Sequence, residues 1–132
     1  PASGFVGPMP ALLIGFGAGA LCYAAVILKN KWRLDDSLDV WAVHGMGSTW
    51  GVLATGLFVG VGFMSISDLT DLTRGAQVIR QITAIGVTMG WSFVMTSLIL
   101  LILKYTIGIR VSEEHEEQGL DLSQHGEQAY GD

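Results

Sequence analysis

His44 is the side chain whose type and surroundings best fit chemistry. It stands in the run Asp35-Asp36-Ser37-Leu38-Asp39-Val40-Trp41-Ala42-Val43-His44-Gly45-Met46-Gly47-Ser48-Thr49-Trp50-Gly51, which then continues without a charge as far as Ile66. An ionisable ring inside an apolar stretch of membrane length is costly, which makes it a functional-site candidate. A neutral imidazole offers one hydrogen-bond donor and one acceptor, suited to a small polar molecule or to a proton relay. By the three-to-four residue spacing of a helix, Val40, Gly47, Ser48 and Gly51 share its face. The bland alternative stays open: a lone histidine can bond a neighbouring helix and do nothing more.

The aspartates upstream have two readings. Aspartate is favoured at helix N-caps and in first turns. Asp36 as N-cap would put Asp39 at the third helical position and His44 ~12 Å above Asp36 at ~1.5 Å per residue, close to the middle of a ~30 Å hydrocarbon core. The second reading is a vestibule that attracts cations. No metal or cofactor is expected, because His115 and His125 lie far along the chain and no ligand-spaced partner accompanies His44.

Residues at such a depth need spanning elements. Half of the 132 residues are apolar, 14% are charged and 18 are glycine, proportions that favour a membrane domain. A bilayer core needs ~20 apolar residues as helix, and three stretches qualify: 9–28, 40–66 and 81–105. The expected organisation is an external connection over 1–8, a first span over 9–28 and a cytoplasmic loop with an acidic helix start over 29–39. A second span over 40–66 carries His44, an external loop covers 67–80, a third span 81–105, and an acidic cytoplasmic tail 106–132. The fold class is an all-α membrane protein. Helices in lipid associate through close backbone contact at small residues. Spacings of the Gly-x-x-x-Gly kind fit that: Gly15–Gly19, Gly47–Gly51, Gly56–Gly60 and Gly86–Gly90. Trp32 and Tyr105 fall where an aromatic belt would sit. Trp50, Trp91 and Cys22 read as packing residues.

Lys29, Lys31 and Arg33 follow the first span, and Lys104 and Arg110 follow the third, which places those ends in the cytoplasm by the positive-inside tendency. The opening Pro1-Ala2-Ser3-Gly4 has neither a methionine nor a basic n-region, and so reads as the end of an earlier external connection in a longer protein. The tail is acidic, and the net charge of the chain is −5, so no nucleic-acid partner is expected. Gly119, Leu120, Leu122 and Tyr130 give the tail apolar anchors by which it could dock. Phosphate on Ser123 would add roughly two negative charges beside Asp121 and repel it from such a surface.

The run Asp36-x-x-Asp39-Val40-x-x-Val43-His44-Gly45-x-Gly47-x-x-Trp50-Gly51 resembles the tenth-helix signature of the ammonium transporter, methylammonium permease and Rhesus family. The tail, Gly108-Ile109-Arg110-Val111-Ser112-Glu113-Glu114 with Gly119-Leu120-Asp121 and His125-Gly126-Glu127-x-Ala129-Tyr130, is similar to its prokaryotic ammonium-transporter branch. Pro1 to Gly7 resembles the entrance to the ninth helix. Ser48 departs from the pattern, where the family usually has glycine.

The resemblance implies three helices of an eleven-helix bundle, a homotrimer with one pore per subunit, and a cell (inner) membrane location with a cytoplasmic C-terminus. It implies a transporter rather than an enzyme. Ammonium would be deprotonated outside and ammonia conducted through an apolar pore, with His44 as the second of two paired pore histidines and Val40 as a pore-lining residue. It also implies a gating tail that includes Arg110, Gly119, Leu120, Asp121 and Tyr130, with a PII-type regulator as partner at the cytoplasmic face. A related ammonium sensor, signalling through the tail, is the alternative function.

Overall fold

The structure is a computed structural model that describes residues 1–62 and 73–127. The end of the expected second span at Ile66, most of the expected external loop with Asp68 and Asp71, and Tyr130 lie outside the described residues. Helix α1 covers Pro8–Trp32. A π-helical turn over Trp41–Met46 runs directly into α2, Gly47–Phe58. Helix α3 covers Arg74–Thr106, α4 covers Glu113–Gln118, and a second π-helical turn covers Asp121–His125. No strand occurs among the described residues, and α1 and α3 are long and apolar enough to cross a membrane.

Local chemistry explains these limits. Proline at the start of α1 has the helical φ already set and lacks an N–H that would go unbonded there. Lys29 and Lys31 lie in its last turn, where cations complement the helix dipole. Arg33 closes α1 in the left-handed conformation, its N–H bonding the carbonyls of Asn30 and Lys29. At the end of α3, Gly108 adopts φ 79° and donates to the carbonyl of Leu103, a helix stop that needs a residue without Cβ. The helical part of the expected 40–66 span is shorter than the sequence suggests. It ends at Phe58, and Val59 turns extended before Gly60 at φ 76°. From Val40 to Phe58 it still rises about 28 Å at ~1.5 Å per residue.

The chain divides into two compact units, Pro1–Gly90 and Trp91–Asp132, with α3 passing from one to the other. In the first unit α1 and the second helix form an antiparallel hairpin tied at both ends. At one end Gly60 N–H donates to Phe5 O (2.9 Å) and Gly7 N–H to Val61 O (3.0 Å). At the other, Lys29 reaches the Asp36–Asp39 turn. Between them the Trp50 indole Nε1–H donates to the carbonyl of Ile14 at 2.9 Å. The ring sits against α1 at Gly17, where an added Cβ would come within 2.7 Å of Trp50 Cζ2. Gly56 makes a similar close approach, to Val78 and Gln81 of α3.

The buried set is small and built from small side chains, among them Ala25, Ala42 and Ala54. Large apolar groups such as Phe16 (82% exposed) and Phe93 (75%) point outward. Apolar area exposed on that scale belongs against lipid or other helices, not water. In the second unit Ser123 of the second π-helical turn donates to the carbonyls of Gly119 (2.9 Å) and His115 (3.3 Å), folding that turn back on α4. The Ser112 hydroxyl caps α4 by accepting from His115 N–H.

The Trp50–Gly17 seat generates a direct test. Gly17→Ala forces the indole away, and overpacking of this kind costs roughly 1–3 kcal/mol. In a double-mutant cycle with Trp50→Leu the two changes should be non-additive by at least about 0.5 kcal/mol. Thermal unfolding of the detergent-solubilised protein measures this, and strict additivity would show that the two residues do not share a contact.

Candidate functional site

Three consecutive pieces of backbone present His44. The chain leaves α1 at Arg33, makes a turn over Asp36–Asp39, and enters the helix at Val40. The turn is closed by Asp39 N–H donating to Asp36 O at 3.2 Å. Both carboxylate oxygens of Asp36 act on the helix start: Oδ1 accepts from Val40 N–H and Oδ2 from Trp41 N–H, each at 2.9 Å. First-turn N–H groups lack intrahelical partners, and a carboxylate that takes two of them also complements the positive end of the helix dipole.

Asp39 departs from the expected position. It is not the third residue of the helix but sits before it, in the left-handed conformation at φ 55°. The physical reason is the turn itself, which uses residues 36–39 to reverse direction and starts the helical ladder with Val43 N–H bonding Asp39 O at 2.8 Å. His44 therefore lies about one turn above the helix start, not two turns above an N-cap at Asp36. Left-handed backbone is uncommon for residues other than glycine and is tolerated best by Asn and Asp. The Asp39 carboxylate faces Lys29, its Oδ1 2.5 Å from Nζ.

The imidazole is carried by the π-helical turn Trp41–Met46. Such turns contain one residue more than an α turn and recur at functional sites. Ala42, two residues before His44, is fully buried, whereas Val40, Val43 and His44 are exposed on this chain. Residues two apart on a helix project to roughly opposite sides. His44 thus faces away from the side that packs on α1, in company with Val40. On the packed side the Cys22 thiol donates to Val43 O at 3.6 Å. Past the turn, the Thr49 hydroxyl donates to Gly45 O at 2.8 Å, supplying a partner where the ladder changes register.

The structure brings His44, Val40, Asp36 and Asp39 into one short segment. Arg110, Gly119, Leu120 and Asp121 belong to the second unit, where Arg110 approaches Glu116 at 3.8 Å and Gly119, with φ 87°, separates α4 from the π-helical turn that begins at Asp121. No group of His, Cys, Asp and Glu among the described residues is arranged to hold a metal ion. Two features went unread in the sequence. The π register leaves no mark in residue spacing. The burial of Lys29 does leave one, because it falls on the same face of α1 as Cys22 and Ala25, whereas Lys31 does not.

Residues 1–130 match the model of the Ammonium Transporter Family. Among curated proteins, an ammonium transporter of Bacillus subtilis is 41% identical over all of this chain, which covers 33% of that protein. The ammonium transporter Amt1 of Archaeoglobus fulgidus is 37% identical over 98% of the chain and 33% of its own length. An ammonium transporter of Aquifex aeolicus is 41% identical over 98% of the chain and 30% of its length. The chain thus spans about a third of the curated relatives it matches.

Asp36→Ala should remove both cap bonds and cost about 1–2 kcal/mol, while Asp36→Asn, which keeps one acceptor, should cost less. Hydrogen exchange at the amides of Val40 and Trp41 reads this locally, and protection unchanged in the alanine variant would show that the carboxylate does not hold the helix start.

Proposed function

The chain belongs to the ammonium transporter family, and from that premise we propose that the protein conducts ammonium nitrogen across a membrane, with His44 lining the path. The observation that carries the reading is the placement of His44. An ionisable ring is held by a π-helical turn on the face away from α1, in a helix without Asp, Glu, Lys or Arg from Val40 to Phe58.

The physics favours transfer in two parts. Bare ammonium in an apolar pore would forfeit its hydration at great cost. Ammonium that gives up its proton at the outer mouth leaves neutral ammonia, which crosses against Val40 and its apolar neighbours. The proton crosses separately along imidazoles, His44 and a second ring supplied by the rest of the protein, and rejoins ammonia at the inner side. Each event then moves one net charge, so transport is electrogenic. A neutral imidazole accepts a proton on one nitrogen and releases one from the other, which is what a relay requires. Asp36 and Asp39 would lie at the inner end of the path, Asp36 capping the helix and Asp39 paired with Lys29.

We assign the protein to the inner membrane as a homotrimer, with the tail on the cytoplasmic side. The tail from Arg110, including Gly119, Leu120, Asp121 and Tyr130, would lie on the cytoplasmic faces of its own and a neighbouring subunit and adjust access to the pore, and a PII-type protein would block that access. Transport rather than sensing is favoured by the relatives, which are named as transporters.

Two results are expected. His44→Ala in the complete protein should reduce methylammonium uptake by at least about tenfold, or alter its selectivity, while trimers still assemble; uptake and selectivity like those of the wild type in vesicles would sink the pore role. Truncation after Arg110 should lower uptake and leave membrane insertion intact, since all spanning helices remain. Full uptake by the truncated protein would rule out a gating tail.

A further inference from the structure

We propose that Lys29 is the positioning residue for His44: its ammonium clasps the Asp36–Asp39 turn and fixes the π-helical register in which the imidazole is presented. The proposal rests on the reading of His44 as a pore residue for its functional meaning, while its geometry is independent of that reading.

A lysine side chain seldom leaves water, yet that of Lys29 is only 8% exposed. Its partners account for this. Nζ donates to the carbonyl of Asp36 at 2.6 Å and lies 2.5 Å from Asp39 Oδ1. The second contact is a charge pair rather than a directed hydrogen bond, since no donor is aligned on that oxygen. The same Asp36 carbonyl also receives Asp39 N–H, and the Asp36 carboxylate is occupied with Val40 and Trp41 N–H. Lys29 is therefore a cation set between two aspartates in a turn of four residues, one of them held in left-handed backbone. Among the described residues, Lys29 is what ties α1 to the Asp36 carbonyl and the Asp39 carboxylate.

The consequence for His44 follows from where the helix is anchored. Above the π-helical turn, Gly47 packs on the Cys22 sulfur, where an added Cβ would sit at 3.0 Å, and the Trp50 indole bonds Ile14 O. Below it stands Lys29 with the Asp36–Asp39 turn. Trp41–Met46 is thus fixed on α1 above and below, with the Cys22 thiol on Val43 O between, and contains one residue more than an α turn accommodates. If the lower point is released, the extra residue can leave the turn, and the part of the helix before it rotates by about 100°, the angle of one residue. His44 and Val40, which stay on one face at four-residue spacing, would then turn together away from their present orientation relative to Gly47 and Trp50. Lys31 near the end of α1 and Arg33 at its C-cap are both exposed.

The test uses the full-length protein in lipid nanodiscs. In Lys29→Met, cryo-electron microscopy should show residues 41–46 in regular α register with the His44 ring turned by about 100°. The maximal rate of methylammonium uptake should fall at least about tenfold with KM within about twofold, because the path is misaligned rather than the entry site lost. Lys29→Arg, which keeps a cation in reach of both aspartates, should retain the π-helical turn and most of the rate. If Lys29→Met does not assemble, Asp39→Asn, which removes the charge but tolerates left-handed backbone, should give the same displacement. A π-helical turn retained in an assembled Lys29→Met or Asp39→Asn variant would overturn the proposal, as would a loss in Lys29→Arg equal to that in Lys29→Met. A turned His44 with wild-type uptake would support the clasp and count against the pore reading instead.

Discussion

A helix in hydrocarbon gains nothing by hiding apolar side chains from solvent, because the solvent is as apolar as they are. What can hold helices together there is close backbone approach and the pairing of polar groups that lipid cannot satisfy. The hairpin of α1 and the second helix depends on that constraint. Its contacts are glycines and alanines where other folds have leucines, and its ties are polar: the Trp50 indole on Ile14 O, the Cys22 thiol on Val43 O, Lys29 on the Asp36 carbonyl. Each tie puts a donor from one strand of the hairpin onto a carbonyl of the other strand or of the turn beyond it. Such bonds contribute on the order of 1 kcal/mol each, so the arrangement stands on their number and on the fit of small residues between them.

The same constraint explains why the site is built as it is. A helix that begins at the membrane surface needs its first N–H groups satisfied before it enters hydrocarbon, and Asp36 supplies both carboxylate oxygens at that point. A π-helical turn in lipid is tolerable only where side chains or neighbours supply partners for the shifted ladder, and Thr49 and Cys22 flank this one. Left-handed Asp39, buried Lys29 and one of the two described π-helical turns fall within the stretch from Lys29 to Met46 around His44. Strain and special geometry collect where a fold is specified for something besides stability.

Much of this was legible in residue order. The apolar runs and the prolines at the head of α1 mark the spanning helices. Of the small-residue spacings, Gly47–Gly51 and Gly56 fall on contact faces, whereas an added Cβ at Gly15, Gly19, Gly86 or Gly90 would meet nothing within 4 Å. The resemblance carried by Asp36 to Gly51 is matched by the family to which residues 1–130 belong. What the sequence left out has physical causes. Asp36 and Asp39 both suit helix starts by type, and nothing in their spacing says that a turn would spend Asp39 outside the helix. A π register depends on how a helix is pinned at two heights, a property of the hairpin and not of any residue in the turn. Lys29 reads as an ordinary basic residue after a span until the face it shares with Cys22 and Ala25 is traced around the helix. Trp50 reads as packing, and its indole bond to a carbonyl of α1 emerges only when the two helices are in place.

In the proposed function the hairpin is a support that presents His44 to a path for ammonia, away from lipid. A density map of the full-length protein in a lipid bilayer tests it most directly. The account predicts the His44 ring on an apolar channel inside the subunit, carried by a π-helical turn over residues 41–46, with a second ionisable ring within hydrogen-bond reach. A His44 ring facing lipid, or closed off against a neighbouring helix with no channel beside it, would contradict it.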